Sequence, residues 1–208
     1  MKIVLTLLIA ITTFNAVATD KKAITDNGEI VILKSDGTWS YESELVKQEL
    51  TLNPTVFSRN NKSTFQLKSK TNSSSFWIDP KKWFFKQKNN GHDVAEYTLG
   101  IKGSDIYGMV ITEGISMDVE ALASTAFSNA QAAAPNIKVT KKEYRTVNGH
   151  KVIYMEMQGT IQTIDVSYFG YYFTDESGST QYLAYTGSNL VDKYADDIAT
   201  LLNGFDIQ

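Results

Sequence analysis

The sequence predicts an α+β protein, an antiparallel sheet with helices packed on its faces, preceded by a small N-terminal β meander. Three observations carry this. Asp, Asn and Gly pairs recur between short β-branched and aromatic runs, which is the pattern of successive hairpins. Eleven tyrosines, ten phenylalanines and three tryptophans supply the side chains that strand faces favour. Only two segments, 117–134 and 189–203, carry apolar residues at helical spacing.

Residues 1–18 are predicted to be a secretory leader. Lys2 gives the positive start, Ile3 to Phe14 the apolar run, and Ala16-Val17-Ala18 the small-x-small cleavage site, so the mature chain is expected to begin at Thr19. About a dozen apolar residues fall short of the roughly 20 that span a bilayer, so no membrane span is expected after cleavage. No cysteine follows to take a lipid anchor. The expected location is therefore outside the cytoplasm, in the periplasm or, alternatively, the medium. A chain with no cysteine also has no disulfide, no thiolate metal site and no cysteine nucleophile. The net charge of −3 becomes −4 once Lys2 leaves with the leader, which argues against a nucleic-acid partner.

Residues 19–45 hold two tight-turn signals, Asp26-Asn27-Gly28 and Ser35-Asp36-Gly37, flanking the β-branched run Ile30-Val31-Ile32. They predict a three-strand meander with Trp39 and Tyr41 on one face. Residues 46–75 are rich in Asn and Ser and are predicted to be a linker. The main domain is expected over 76–208. Its strands at 93–102 and 106–115 turn at Gly103-Ser104, and helix 117–134 has Ser116 as its expected N-cap and Pro135 as its stop. Val119, Leu122, Ala126, Ala130 and Ala133 form that helix's expected buried stripe.

A meander follows. Asn148-Gly149 joins 139–146 to 151–158, the strongest short hairpin signal in the chain. A turn at Gly159-Thr160 would pair Met155 with Ile164 and Ile153 with Val166; the loop 175–178 would pair Tyr168 with Tyr185 and Gly170 with Leu183. One face then reads as core, and the other, half-solvated, collects Tyr154, Glu156, Thr163, Asp165, Ser167, Tyr171 and Tyr182. The closing helix buries Tyr194, Ile198, Leu201 and Leu202, with Gly204 expected as its C-terminal cap.

Chemistry has few footholds. His92 and His150 lack a metal-ligand spacing, and no phosphate-binding, dinucleotide-binding or nucleophile-elbow motif occurs. In the predicted register Glu156 and Asp165 lie diagonally across neighbouring strands, where two carboxylates are the candidate metal or acid/base pair. The preferred reading keeps them as a polar face serving tyrosine hydroxyls, with no cofactor. Trp39, Tyr41, Lys81, Lys82 and Trp83 form the candidate partner surface. Lys86, Lys88, Lys138, Lys141, Lys142 and Arg145 extend the basic character, which protects sheet edges against aggregation.

Two resemblances follow from these residues. Val31-Ile32-Leu33 and Asp36-Gly37-Thr38-Trp39, after Gly28, resemble a short D-G-T-W element found near the start of exported bacterial proteins of unknown function. Asp79-Pro80-Lys81-Lys82-Trp83, a single mid-chain helix, the meander entered at Val147-Asn148-Gly149, and the end Asn203-Gly204-Phe205 are together similar to the PsbP-like fold. That resemblance implies an accessory or partner-binding role and places no catalytic residue here. The resulting expectation is a non-enzymatic envelope module with a protein or ligand partner. A metal- or ligand-dependent enzyme using Glu156 and Asp165, and a structural component of an envelope assembly, are the alternatives.

Overall fold

The computed structural model describes residues 20–25, 30–41, 50–87 and 94–208, with the side chains of Ser40 and Tyr41 outside the description. The predicted leader, the turn 26–28, Lys88 and His92 therefore lie outside the described residues. The chain divides into two units, Met1–Lys47 and Gln48–Gln208.

The first unit contains β1 (Lys21–Ile24), β2 (Ile30–Leu33) and β3 (Trp39–Tyr41), an antiparallel sheet in that order. Its β2–β3 turn has a local chemical cause. Asp36 Oδ1 accepts from the Thr38 backbone N at 2.9 Å and from its hydroxyl at 2.6 Å, while Lys34 N donates to Thr38 O. Those bonds from Thr38 hold the Asp36 carboxyl below its ordinary pKa.

In the second unit the stretch expected to be a linker forms strands instead. It holds β4 (Leu52–Phe57), β5 (Phe65–Lys68) and the start of β6 (Ser74–Ile78). The composition misled because both β4 and β5 are edge strands, with exposed polar positions and, in β4, a proline that an edge tolerates. The Asn/Ser run is itself packed. Asn72 Nδ2 donates to Ser179 O and Thr180 Oγ1, both at 2.9 Å, and Ser73 donates to Asp175 at 2.5 Å, pinning these residues to a distant hairpin.

The remaining elements are β7 (Trp83–Gln87), β8 (Tyr97–Ile101), β9 (Ile106–Glu113), α1 (Val119–Ala133), β10 (Lys138–Val147), β11 (His150–Ile161), β12 (Ile164–Asp175), β13 (Gly178–Gly187), α2 (Val191–Leu202) and β14 (Phe205–Ile207). A 3₁₀ turn, Ser188–Leu190, leads into α2. The large sheet runs β4-β10-β11-β12-β13-β9-β8-β7, antiparallel except for β4 beside β10; a second sheet runs β14-β6-β5. Asn148, at a left-handed φ of 49°, makes the expected β10–β11 turn. The pairs Tyr168 with Tyr185 and Gly170 with Leu183 occur as expected.

The β11–β12 register differs. Its turn is at Gln162 (φ 57°) and Thr163, so Met155 faces Gly170 and Ile153 faces Tyr172. Gly159 lies within β11, because a Cβ there would come 2.7 Å from Ile137; the glycine marks a close approach, not a turn. Ser116 is not the N-cap of α1. Asp118 is, accepting from Glu120 N at 2.9 Å and Ala121 N at 3.0 Å. Leu122 and Ala126 are buried as expected, joined by Ala123, but Ala133 is exposed at the helix end.

Both faces of the large sheet are covered. On one, α1 packs Leu122, Ala123 and Ala126 onto Ile153, Met155, Met157, Tyr172 and Leu183. On the other, α2 and the second sheet bring Ile198, Leu201, Leu202, Phe76 and Phe205 onto Tyr154, Phe169, Tyr171 and Tyr182. The face expected to be half-solvated is thus a tyrosine-lined core, since α2's own apolar stripe needs a surface to bury against. Gly204 is required for closeness. A Cβ there would meet Trp77 O at 1.9 Å, where Trp77 N donates to Gly204 O at 2.7 Å.

Candidate functional site

Alternation along β10 sends Glu143, Arg145 and Val147 to the α2 face, among buried neighbours. An arginine at such a position must be paired and stacked. Arg145 Nε donates to Glu143 Oε1 at 2.7 Å, and its guanidinium lies 3.3 Å from the Tyr154 ring centroid and 4.4 Å from that of Phe57. On the same face the Tyr171 hydroxyl donates to Asn203 Oδ1 at 2.7 Å. Burial works against the Arg145 charge, but Tyr171 and the bonded Glu143 outweigh it and hold the pKa above the ordinary arginine value. Burial would raise the Glu143 pKa too. Bonds from Arg145 and from Asn53 Nδ2, with the Arg145 and Lys141 charges, hold it low instead.

These groups form one end of a cavity of about 210 Å³ between the sheet and α2. Val191, Ala195, Ile198 and Leu202 of α2 make its opposite, apolar wall, and Asn203 closes the end. Tyr154 donates to Glu156 at 2.7 Å, and burial, then that carboxylate, push its pKa well up; burial does the same to Tyr171. Both phenols stay protonated. A second, polar cleft of about 480 Å³ shares Ala199 and Asn203 with the first and is crossed by the Lys82–Asp197 ion pair.

The predicted site residues are scattered by comparison. Glu156 stands opposite Phe169 and Asp165 opposite Thr160, four residues apart along the ladder, roughly 13 Å at strand rise. The carboxylate pair therefore does not exist, because the hairpin closes three residues later than expected. Asp165 instead accepts from Thr160 Oγ1 at 2.8 Å. Among the described residues no group of three or more His, Asp or Glu is placed to hold a metal ion. Lys81, Lys82 and Trp83 do not form one surface, since Trp83 is only 3% exposed and packs in the core while Lys82 pairs with Asp197. Trp39 is 58% exposed on β3; the Tyr41 side chain lies outside the description. His150 sits 3.3 Å from Asp206, away from the cavity lining. Lys141 joins the Glu143 cluster at 3.4 Å, whereas Lys142 points to the α1 face, where burial lowers its pKa.

Sequence reading missed Phe57, Asn53 and Asn203 as site residues. One signal was present: Arg145 falls two residues before Val147 in a strand whose register Asn148-Gly149 sets, so its inward direction was readable.

Cleft and architecture together define an α+β domain with one hydrogen-bonding cation beneath a helix. No protein-family profile and no curated protein matches the chain. Among solved structures it is similar to a cyanobacterial PsbP protein from Synechocystis sp. PCC 6803, with a TM-score of 0.53 and 11% identity over 72% of this chain and 95% of that one. A Pseudomonas aeruginosa protein of unknown function, described as a putative regulator, aligns with a TM-score of 0.40 and 9% identity, covering 64% of this chain and 89% of that one. A Bacteroides thetaiotaomicron structure aligns at 0.45 and 7%, covering 70% and 49%. The first likeness shows a PsbP-like fold; the other two carry no weight. No helix among the described residues is long and apolar enough to cross a membrane.

Proposed function

We propose that the protein is exported and acts in the cell envelope as a non-enzymatic accessory module that binds a protein or small-ligand partner in the cleft beneath α2. The observation that carries this is the cavity itself, with apolar walls and one stacked, hydrogen-bonded arginine at its end, the composition of a recognition pocket. The PsbP-like fold supports an accessory role by analogy. The leader-like residues 1–18 support export.

Affinity purification from envelope fractions after cross-linking tests the reading. Ala195 is exposed at the cavity wall, so Ala195→Trp plugs the mouth without entering the core. The expected result is a partner captured by the native chain and lost with Ala195→Trp. Undiminished capture by that variant would remove the cleft from the account, and loss on deleting 19–45 instead would move binding to the meander. Intact mass of the exported protein should begin at Thr19.

A further inference from the structure

We propose that the cleft recognises a carboxylate carried on a compact apolar body, an inference that rests on the reading of the cleft as the binding place. The polar groups of the lining decide the class. Among the described residues Arg145 is the only charged one that lines the cavity, and the Tyr171 hydroxyl spends its proton on Asn203 Oδ1. Arg145 spends its Nε–H on Glu143 and keeps its Nη edge, stacked against the Tyr154 and Phe57 rings, and Asn203 Nδ2, on the other side of the amide from the Oδ1 that Tyr171 uses, meets no acceptor among the described residues. A ligand must bring acceptors. Two oxygens on one planar group match a guanidinium edge, which is carboxylate geometry.

Charge selects a monoanion. Glu143, whose Oε1 takes the Arg145, Asn53 and Lys141 contacts, stands outside the cavity lining, in which Arg145 is the only charge among the described residues. A cation finds no carboxylate among the described residues that line the cavity. Size and wall chemistry select the rest of the molecule. About 210 Å³ is below the roughly 300 Å³ at which drug-sized sites begin, and Val191, Ile198, Leu202 and Phe169 offer only apolar contact. A branched or aromatic group of single-side-chain size fits. Such a group with its carboxylate is either a free monocarboxylic acid or the C-terminus of a polypeptide ending in an apolar residue.

Calorimetric titration of the purified protein distinguishes the sources. The probes are isocaproate, phenylacetate, the tripeptide Gly-Gly-Phe, and the amide of each. Saturable binding of the acids is expected, with each amide weaker by about tenfold or more, since a charge-assisted pair becomes a neutral one. Arg145→Lys, which keeps the charge but loses the fork, is expected to weaken binding by a similar factor, and Ala195→Trp to abolish it while leaving the melting transition in place. Tighter binding of Gly-Gly-Phe than of phenylacetate assigns a polypeptide C-terminus; the reverse order assigns a free acid. Amides that bind as well as acids, or acids that do not bind to folded protein, overturn the proposal. If an envelope partner is nonetheless captured through the cleft, only the ligand class falls; if Ala195→Trp still captures it, the cleft reading falls as well.

Discussion

Two ion pairs on this molecule have the same charges and different consequences. Arg145 and Glu143 have side chains each only 12% exposed, and removing Arg145 takes from Glu143 its closest cationic partner, leaving Asn53 and Lys141. Arg145→Met should cost about 2 kcal/mol or more in urea unfolding. Lys82 is 53% exposed at its pair with Asp197, so Lys82→Met should change stability by less than about 1 kcal/mol. Equal losses from the two would show that the Arg145 environment is not special. The acid limb of stability is tied to the same cluster. The folded Glu143 pKa lies below its unfolded value, so its contribution is present above roughly pH 4.3 and is lost as pH falls through the folded value. Glu143→Gln should therefore start less stable at neutral pH and lose less on acidification, seen as a flatter slope between neutrality and pH ~3.

At the scale of elements, the closest contact is between the turn after α2 and strand β6. Gly204→Ala drives a Cβ into Trp77 O and must separate β6 from β14, for which a loss of about 3 kcal/mol or more is expected from thermal unfolding. Side-chain alternation was the readable part of this architecture. The expected β11–β12 pairing was displaced by an even number of positions, so Tyr154, Tyr171 and Tyr182 still fell on a common face, and the Tyr168–Tyr185 pairing was correct. What covered that face was not readable. Burial of the tyrosines depends on α2 and on a second sheet whose strands are far apart in sequence, and no local pattern announces such pairing. The same limit hid the cleft: Phe57 reaches Arg145 and Asn53 reaches Glu143 through a parallel pairing of β4 with β10, across a stretch whose composition resembles a connector.

The whole second unit predicts a fragment boundary different from the one composition suggests. A chain starting at residue 76 would lack β4, β5 and part of β6, and with them Leu67, Phe57 and the Asn72–Thr180 contact. Fragment 48–208 should melt cooperatively and fragment 76–208 should not; comparable transitions would make β4 and β5 dispensable. The two-sided core also has an optical signature. Burial raises the pKa of Tyr154, Tyr171, Tyr172 and Tyr182, so the stability they contribute is intact below the unfolded value near pH 10 and is lost as pH climbs toward the folded values. Of the eleven tyrosines, these four should form phenolate only as the protein unfolds. Reversible ionisation of all eleven before unfolding would contradict the covered face.

The pairing of β6 with β14 has a consequence in time. The hydrogen bond from Gln208 to Ser74 O joins positions 134 apart, and Phe76 has no strand partner on that side until Phe205 exists. Contacts of such long range form late and raise the folding barrier, because a large loop must close before they contribute. At a synthesis rate of about 5–20 residues per second, a growing chain waits many seconds between making β6 and making its partner. During that interval the second sheet cannot assemble, and α2, which completes the core above the tyrosines, is also still unmade. The second sheet and the α2 cover of the tyrosine face thus close only after nearly all of the sequence has emerged, so the last residues made decide when the core is sealed.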